Sequence, residues 1–499
     1  MLCFAGPSTG PLPEHSALAI IGIDIGTQSL KVVVTDDRLR VLGSGSVPYR
    51  PSYPQPGWAE QDPQLWLDAL RPAIDRALRA ARVQPSAVVA LGIAAQLDGC
   101  VPVDAAGHAL APGIIWMDRR AEAEAMDVPA ELVRDRAGLV RDSTHMAAKI
   151  RWYQRHGAFA APVRTWHQPT SFVVERLTGA VVFDHGLAST TMLYGLALRD
   201  FDPVLLDAFG IDRNQLPDVA DAGDLAGVLH ADGARLCGLR AGIPVAVGTG
   251  DDFASALGAG VVAPGTLACS VGTAEALGAV SDTRVIDRDG LVETHGYAGG
   301  RWYIGNPGWL SGGAVTWFCD TFSVESADAM SALAEQASDG CDGVTFLPAL
   351  SGAMAPRWIA DARGAFLGLA AGHGKAELAR AVLEGCAFAM RDVVDRLREL
   401  GVPLHTIRLV GGGARSRVWS RIRADLTGLP VEINPVTDAS PLGAAALAAQ
   451  AAGGGPLQAP AANGLVTFEP RPAHGAALND AYQRYRTLFD ALTPQSAPT

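Results

Sequence analysis

Two short segments of this chain combine residue types that can hold a phosphate group. Each is an apolar run followed by glycine and threonine, and the first also carries a carboxylate. Such a carboxylate can hold Mg²⁺ directly or through water, and glycine lets backbone amides approach phosphate oxygens closely. The positions concerned are Asp24, Gly26, Thr27 and Gln28 in the first segment and Gly272 and Thr273 in the second. Either segment could also be an ordinary turn, because glycine and threonine are common in turns.

Asp251 has the type and position expected of a catalytic base. It follows Gly250 just after a predicted buried strand. A carboxylate there can accept the proton of a substrate hydroxyl while that oxygen attacks a γ-phosphoryl group. The alternative is structural, because Asp251 or Asp252 could cap a helix predicted to begin at Phe253.

Polar and aromatic residues that follow two further predicted strands could bind a polyhydroxylated ligand. The candidates are Gln96, Leu97 and Asp98 after the first strand and Trp116, Asp118 and Arg120 after the second. Carboxylates and amides can exchange several hydrogen bonds with a sugar, and an indole can stack on a sugar face. Asp118 could instead be a helix cap, Arg120 a solvated residue and Trp116 a core residue. His295 could titrate, although a lone histidine is usually structural.

Three consecutive glycines, Gly411 to Gly413, stand between a predicted strand and a helix predicted to start at Arg417. Without side chains there, a flat adenine or ribose can lie against the backbone, and the helix start offers free amides and a positive dipole end. The glycines could instead serve close packing alone. The candidate nucleotide contacts are Gly412, Gly413, Ala414 and Ser416.

The elements that must position these residues alternate between strands and helices. Apolar runs at Ala19–Ile25, Lys31–Thr35 and Val41–Val47 predict an antiparallel meander, and an amphipathic helix from Pro63 to Ala81 follows it. Further predicted elements are the strands Val88 to Ala94, Pro244 to Gly248, Leu267 to Val271 and Thr406 to Val410, and the helices Phe253 to Gly260 and Ala376 to Leu400. The strand, Gly-Thr turn and return strand occur twice. The chain is therefore predicted to form two similar α/β halves that face each other across a nucleotide cleft.

Length and charge exclude several classes of protein. The chain has 499 residues, which is too long for a single hydrophobic core and favours two domains. Its formal net charge of −12 disfavours a nucleic-acid partner, which would require a basic face. The seven cysteines lack metal-ligand spacing, as is typical of reduced thiols in a cytoplasmic protein. No apolar run is long enough to span a membrane, and residues 1–18 and 491–499 are predicted to be flexible tails.

Longer segments resemble the FGGY family of carbohydrate kinases. Gly364 to Leu369, followed after seven residues by Glu377 to Glu384, is similar to the family's second diagnostic motif at every specified position. Other stretches similar to the family occur in its order: the hairpin at Asp24, Trp116 to Arg120, Gly250-Asp251, Ser270 to Thr273, Gly411 to Ser416 and Pro441 to Ala445. The resemblance covers roughly residues 19 to 490.

This resemblance implies the fold of actin, Hsp70 and the sugar kinases, in which two ribonuclease-H-like α/β domains flank a central cleft. Here residues 19–260 would bind sugar and residues 261–490 would bind nucleotide. It also implies ATP and Mg²⁺ as cofactors, Asp251 as the general base, and Asp24 and Asp251 as carboxylates near the metal. The implied phosphate and adenosine contacts are Gly26, Thr27, Gln28, Gly272, Thr273, Gly312, Gly412, Gly413, Ala414 and Ser416.

The sugar loop departs from the family pattern. The segments Ser311 to Gly313 and Phe346 to Gly352 look most like those of xylulokinases. Xylulokinases usually carry Met-His-Gly where this chain has Leu97-Asp98-Gly99, whereas glycerol kinases place Arg-Glu at the first two positions. We therefore expect a cytoplasmic kinase of a ketopentose or a related polyol, with ribulose, pentitols, tetritols, glycerol and gluconate as other family substrates.

Two further points stay open from the sequence. A homodimer is compatible with it, although nothing in it requires one. A second hypothesis, from another functional class, is a non-catalytic nucleotide-binding regulator or an Hsp70-like ATPase on the same fold. Such a protein would have no reason to keep Gln96, Asp98 and Asp118 together.

Overall fold

The computed structural model describes residues 18–157, 159, 161–306, 309–359, 361–434, 438–453, 455–460 and 464–492. The predicted N-terminal tail apart from Leu18, and the predicted C-terminal tail beyond Leu492, lie outside these ranges. Within them the chain forms two α/β halves, each built on a seven-stranded sheet. No helix in these ranges is both long and apolar enough to cross a membrane.

The first half contains the main sheet and a set of short strand pairs. Its strands are β1 Ala19–Ile25, β2 Ser29–Thr35, β3 Val41–Pro48, β4 Glu60–Gln61, β5 Val88–Ala95, β6 Val101–Val103, β7 Gly113–Ile114, β8 Thr165–His167, β9 Val182–Asp184, β10 Tyr194–Gly195, β11 Asp200–Phe201, β12 Asp218–Ala220, β13 Leu225–Val228, β14 Pro244–Ala246 and β15 Thr249–Gly250. Its helices are α1 Pro63–Ala81, α2 Glu122–Met126, α3 Ala130–Ala137, α4 Met146–His156, α5 Pro169–Thr178, α6 His185–Ser189, α7 Pro203–Phe209, α8 Ala231–Cys237 and α9 Asp251–Gly258.

The second half begins directly after α9. Its strands are β16 Gly265–Val271, β17 Glu275–Ser281, β18 Glu293–Tyr297, β19 Arg301–Asn306, β20 Thr345–Leu347, β21 Ala365–Leu367, β22 Leu404–Val410, β23 Val431–Ile433 and β24 Val466–Phe468. Its helices are α10 Ser311–Phe322, α11 Ala327–Ala334, α12 Lys375–Glu399, α13 Arg417–Thr427, α14 Ala439–Ala451 and α15 Pro472–Leu492.

The two sheets share a five-strand arrangement. The first has the order β13-β14-β5-β1-β2-β3, with β15 also paired to β5, and the second has the order β18-β19-β17-β16-β22-β23-β24. In each, three antiparallel strands (β1-β2-β3 and β16-β17-β19) are extended by two parallel strands on the side of the first one: β5 and β14 extend β1, and β22 and β23 extend β16. Strand β18 adds an antiparallel edge to the second sheet. This repetition confirms the predicted pair of similar α/β halves.

Helix α14 of the second half packs against the sheet of the first half. A Cβ atom added to Gly22 of β1 would lie 1.7 Å from the backbone oxygen of Pro441, and one added to Gly92 of β5 would lie 1.9 Å from that of Ala444. A Cβ atom on Gly443 would be equally close to α9, at 1.9 Å from a backbone oxygen. Since real Cβ contacts are never so short, these glycines let the helix lie directly on backbone.

Some observed element bounds agree with the predicted ones, and others differ by about two residues. Helix α1 has the predicted bounds, and Asp62 caps it by accepting a hydrogen bond from the amide of Gln64 at 2.9 Å. The strand predicted from Pro244 to Gly248 ends two residues early, because Gly248 adopts a φ of +77°. Helix α9 begins at Asp251 rather than at Phe253.

Candidate active site

Three carboxylates meet where the two halves join: Asp24 in β1, and Asp251 and Asp252 at the start of α9. Burial is the main cause that raises the pKa of Asp24 and the pKa of Asp252, each to about 6. Burial also raises the pKa of Asp251 well above its ordinary value, and the charges of Asp252 and Asp24 raise it further. The structure thus brings together the predicted base and the predicted metal-associated carboxylate.

Asp251 does not cap helix α9. Gly250 occupies the N-cap position, where no side chain makes a capping hydrogen bond. Oδ1 of Asp251 accepts a hydrogen bond from the amide of Asp252 at 3.1 Å, within the first turn. The capping alternative for either aspartate is therefore wrong, and both carboxylates are partly exposed at this junction.

The first turn of α14 contacts the acidic cluster. The hydroxyl of Ser440 donates a hydrogen bond to Oδ1 of Asp24 at 3.1 Å. Lys31 of β2 is the cross-strand partner of Asp24, and its Nζ lies 3.3 Å from Oδ1 of Asp438. Both contacts join the first hairpin to the second half of the chain, across more than 400 residues of sequence.

The acidic cluster has the donor chemistry that Mg²⁺ prefers. Carboxylate oxygens suit this hard cation. A divalent charge would stabilise the ionised forms of Asp24 and Asp251, whose pKa values are raised by burial and by neighbouring carboxylates. Among the described residues, no group of three or more His, Cys, Asp or Glu is arranged to hold a metal ion. Asp24 and Asp251 would therefore hold the ion together with water and phosphate oxygens, as is usual for magnesium.

The first hairpin is bonded to the predicted sugar-binding residues. The amide of Gly26 donates to the carbonyl of Ser29 at 3.0 Å and closes the turn, while Gln28 is exposed. The hydroxyl of Thr27 donates to Oε1 of Gln96 at 3.2 Å and accepts a hydrogen bond from Nε1 of Trp116 at 3.0 Å. Phosphate and sugar candidates therefore form one connected unit.

The candidate polyol-binding residues Trp116, Asp118 and Arg120 have different environments. Trp116 is 44% exposed, so the core alternative for this ring is wrong and its face is free to stack. Asp118 is 1% exposed, and its oxygens accept hydrogen bonds from the amide of Ala59 and from Arg120. Arg120 is equally buried and lies 3.6 Å from the ring centre of Trp58, so it is not a solvated residue. This buried ion pair braces the loop, and we do not assign Asp118 a ligand contact.

Asp98 is held on three sides. Its φ of +60° places the backbone in the left-handed region, which carries a cost for a non-glycine residue. Its amide donates to Oε1 of Gln168 at 3.0 Å, and its carbonyl accepts a hydrogen bond from Nζ of Lys149. Its carboxylate lies 3.2 Å from Nδ1 of His145. Neighbouring Leu97 packs against Gly250, next to the predicted base.

The second hairpin packs on the start of α10. The amide of Gly272 donates to the carbonyl of Ala274 at 2.9 Å, and the carbonyl of Thr273 accepts from the amide of Gly313 at 2.9 Å. A Cβ atom on Gly312 would lie 2.0 Å from the carbonyl oxygen of Gly272. Only glycine therefore fits at position 312. Gly272 and Thr273, at the tip of the hairpin, remain exposed.

The glycine-rich turn divides between packing and open surface. Gly411 has a φ of +88°, and a Cβ atom on it would lie 2.6 Å from the carbonyl oxygen of Val271. A Cβ atom on Gly413 would lie 2.4 Å from the side chain of Val271. Gly412 is exposed and a Cβ atom there would meet nothing within 4 Å. Packing thus explains two of the glycines, whereas Gly412 offers bare backbone to a ligand.

Ala414 and Ser416, which follow the three glycines, are mainly structural. Ala414 is buried, with its amide donating to the carbonyl of Gly411. Ser416 caps α13, because its hydroxyl accepts from the amide of Trp419 at 3.4 Å, and it lies 2.8 Å from the hydroxyl of Ser331. A nucleotide contact at Ser416 would have to coexist with this cap.

Several site residues were missed by the sequence analysis. His145 and Lys149 belong to no complete motif, and their partner Asp98 is about 50 positions away along the chain. Glu293 stands two positions before His295, the only residue of this pair that the sequence analysis considered. Its alternation with His295 along β18 was an available signal, because residues two apart on a strand share a face.

The duplicated halves, the acidic junction and the glycine hairpins define a class: two-domain α/β proteins with the actin, Hsp70 and sugar kinase fold. Residues 19–258 match the N-terminal domain, and residues 267–452 the C-terminal domain, of the FGGY family of carbohydrate kinases. The chain therefore belongs to the FGGY family of carbohydrate kinases, whose members are phosphotransferases acting on alcohol groups.

Known relatives extend over nearly the whole chain. It is 33% identical over 491 residues to a xylulose kinase of Escherichia coli, covering 96% of this chain and 99% of that one. It is 35% identical over 447 residues to a glycerol kinase of Gloeobacter violaceus, covering 86% of this chain and 87% of that one. The crystal structure of a "xyloylose kinase" from Brucella ovis is similar with a TM-score of 0.89 at 31% identity, covering 95% and 99% of the two chains.

Proposed function

We propose that this protein transfers the γ-phosphoryl group of ATP to a hydroxyl of a ketopentose such as xylulose, or of a related neutral polyol. The observation that carries the proposal is the position of Asp251, which is exposed to the junction beside Asp24 and next to the sugar loop. Similarity to both xylulose and glycerol kinases supports a polyhydroxylated acceptor without fixing its length.

In this proposal Asp251 accepts the proton of the substrate hydroxyl as that oxygen attacks phosphorus. Its raised pKa suits the role, because a base is most effective when its pKa lies closer to the working pH than that of a solvated carboxyl. Asp24 and Asp251 would hold Mg²⁺, which supplies positive charge to the phosphate oxygens when bound. The hydroxyl proton passes to Asp251 as the new oxygen–phosphorus bond forms, and the bond from the γ-phosphorus to the β–γ bridging oxygen breaks to release ADP.

The remaining residues would bind and orient the two substrates. Residues 19–260 would bind the polyol, with Gln96, Leu97 and Asp98 on one side and the exposed ring of Trp116 on another. Residues 261–490 would bind nucleotide through the contacts proposed above: Gly272, Thr273, Gly312, Gly412, Gly413, Ala414 and Ser416, with Gly26, Thr27 and Gln28 from the first hairpin. Asp98, Asp251 and Asp252 would disfavour an anionic acceptor such as gluconate by like-charge repulsion.

Replacement of the base tests this function. Asp251→Asn removes the proton acceptor but keeps the shape, so turnover is expected to fall by roughly 100-fold or more. Binding of MgADP, measured by isothermal titration calorimetry, is expected to change little. Turnover is measured by coupled ADP release with ketopentoses, pentitols, tetritols, glycerol and gluconate. The matched control is Asp37→Asn, at an exposed turn between β2 and β3.

The outcomes separate this proposal from its rivals. Turnover of Asp251→Asn within about fivefold of wild type would show that Asp251 is not the base. No ADP release with any acceptor, from folded protein with MgATP, would contradict the kinase function. Slow hydrolysis that no acceptor stimulates would instead favour the Hsp70-like ATPase.

A further inference from the structure

A chain of charged side chains runs from the sugar loop into the second half of the molecule. His145, at the start of α4, lies between two carboxylates: its Nδ1 is 3.2 Å from Asp98, and its Nε2 is 3.6 Å from Glu293 of β18. The other oxygen of Glu293 lies 3.6 Å from Nε2 of His295. His145, Glu293 and His295 are each no more than 6% exposed, so these contacts are shielded from water.

The two neighbouring carboxylates favour the protonated, positively charged form of His145. Burial alone would lower the pKa of His145, but the charges and hydrogen bonds of Asp98 and Glu293 raise it well above 6.5. Both ring nitrogens can then donate, one to each carboxylate. Burial alone would raise the pKa of Glu293, yet His145 and His295 lower it to about 2. The protonated His145 and the ionised Glu293 thus form the charged centre of this chain of contacts.

Other charged groups nearby do not replace this histidine. Lys149 on α4 is fully buried and donates to the backbone carbonyls of Asp98 and Thr144, so it holds the loop rather than the Asp98 carboxylate. Asp142 is near His145 as well, but its carboxylate pairs with Arg119. Within the described residues no hydrogen bond reaches Oδ2 of Asp98, whose side chain is 17% exposed.

We propose that His145, braced by Glu293 from the second half, is the positioning residue that orients the Asp98 carboxylate so that Oδ2 accepts a hydrogen bond from a substrate hydroxyl. The inference rests on the proposed function, because it concerns the same polyol site. His145 itself does not touch the substrate. Its part is to hold the Asp98 carboxylate in one rotamer, although the backbone of Asp98 lies in the costly left-handed region.

This arrangement makes the orientation of the Asp98 carboxylate depend on both halves of the protein. Glu293 also accepts a hydrogen bond from the amide of Val140 at 3.0 Å, which fixes β18 to the first half beside His145. Loss of either His145 or Glu293 removes one of the two partners of the buried charge that remains, a change that is costly in a protein interior. Asp98 would then be free to turn away from the ligand, and polyol affinity would fall.

The test uses a double-mutant cycle on the full-length protein. The variants are His145→Gln, Asp98→Asn and both together, with Glu293→Gln as a milder second variant. His145→Gln is expected to raise the KM for the best acceptor roughly tenfold, the scale of a lost hydrogen bond to a charged group. The KM for MgATP is expected to stay within about twofold, because the contacts of His145 described above include none of the proposed nucleotide residues. His156→Gln, at the exposed end of the same helix, is the matched control.

The cycle distinguishes positioning from a merely structural role. If His145 acts through Asp98, adding His145→Gln to Asp98→Asn changes the acceptor KM by less than about threefold. Effects that multiply in the double variant, or an acceptor KM within about twofold of wild type in both His145→Gln and Glu293→Gln, would overturn the proposal. If His145→Gln does not fold, Glu293→Gln decides, with an expected rise of about threefold or more.

Direct binding separates this inference from the proposed function. D-Xylulose and xylitol are titrated into wild type and variants by calorimetry without nucleotide. If wild type turns over an acceptor while the His145 and Glu293 variants keep wild-type affinity, the inference fails and the function stands. If wild type binds a polyol without phosphorylating it and His145→Gln loses that binding, the function fails and the positioning role stands.

Discussion

Asp98, in the proposed polyol site, has the surroundings that a residue controlling acceptor preference would need. Its backbone amide, backbone carbonyl and carboxylate are each held by a different partner, namely Gln168, Lys149 and His145. Because rotation of the whole residue is blocked, one carboxylate oxygen is presented in a fixed direction. A fixed acceptor discriminates between hydroxyl configurations more sharply than a mobile one, since a misplaced hydroxyl leaves a polar group unpaired.

The charge network around Glu293 predicts a pH-dependent stability. A carboxyl whose pKa is lowered from 4.5 to about 2 stabilises the fold above pH 4.5, and this contribution is lost as the pH falls toward 2. A histidine whose pKa is raised above 6.5 stabilises the fold below pH 6.5, and this contribution is lost as the pH rises through the raised value. Glu293→Gln is therefore expected to lower the free energy of unfolding most between about pH 5 and 6.5, by about 2 kcal/mol.

Thermal unfolding followed by circular dichroism between about pH 3 and 9 measures this effect. The difference between wild type and Glu293→Gln is expected to shrink at both ends of that range. Glu325→Gln, at an exposed position, provides the control with no pH-dependent difference. A deficit for Glu293→Gln that is constant across the range would show that the side chain contributes packing only.

The sequence pointed to the candidate catalytic carboxylates more readily than to the groups around them. Asp24 lies near the end of β1 and Asp251 directly follows β15, each within two residues of a glycine, which is a local pattern. His145 and Glu293 are 148 positions apart and meet where β18 passes the start of α4. The burial of Asp118 could not be predicted for a related reason, since its contact with Ala59 and the contact of Arg120 with Glu60 each span about 60 positions.

At the scale of elements, local patterns predicted most strands and helices. The bounds of α1 follow from an N-cap aspartate and a regular apolar stripe, and those of β1 from a continuous apolar run. The packing of α14 on the first sheet could not be predicted in this way. Its contact between Ser440 and Asp24 spans 416 positions, and the glycines that permit it are scattered over both halves.

The glycine contact between β5 and α14 predicts a steep cost for a single methyl group. Gly92→Ala would place a Cβ atom 1.9 Å from the carbonyl oxygen of Ala444, so the helix must move off the sheet. We expect the free energy of unfolding, measured in urea, to fall by about 1–3 kcal/mol. Turnover should fall as well, since the same helix carries Ser440 to Asp24.

Gly372→Ala is the matched control for this substitution. Gly372 is exposed, its φ is not positive, and a Cβ atom there would meet nothing within 4 Å. Its replacement should leave stability unchanged or slightly raised, because alanine restricts the unfolded chain. A Gly92→Ala protein as stable as Gly372→Ala would mean that α14 does not lie against the sheet as described.

At the scale of the whole molecule, edge strand β18 of the second half is bonded to the first half through its backbone. The amide of Thr294 donates to the carbonyl of Gly138 at 3.0 Å, and the amide of Gly296 donates to the hydroxyl of Ser189 at 3.0 Å. Glu293 directly precedes these two amides and His295 lies between them, and Glu293 continues through His145 to Asp98. The proposed polyol site of one half is therefore anchored on a strand of the other.

This anchoring predicts that a polyol alone stabilises both halves. Binding of D-xylulose without nucleotide should slow hydrogen exchange in the loop at residues 96–99 and also at the amides of Thr294 and Gly296, because ligand that fixes Asp98 also fixes its partners. In Glu293→Gln the slowing should persist in the loop but disappear from β18. Strand β23 lies on the opposite side of the second sheet and serves as the internal control. Slowed exchange confined to the first half of the wild-type protein would show that the two halves sense the polyol independently.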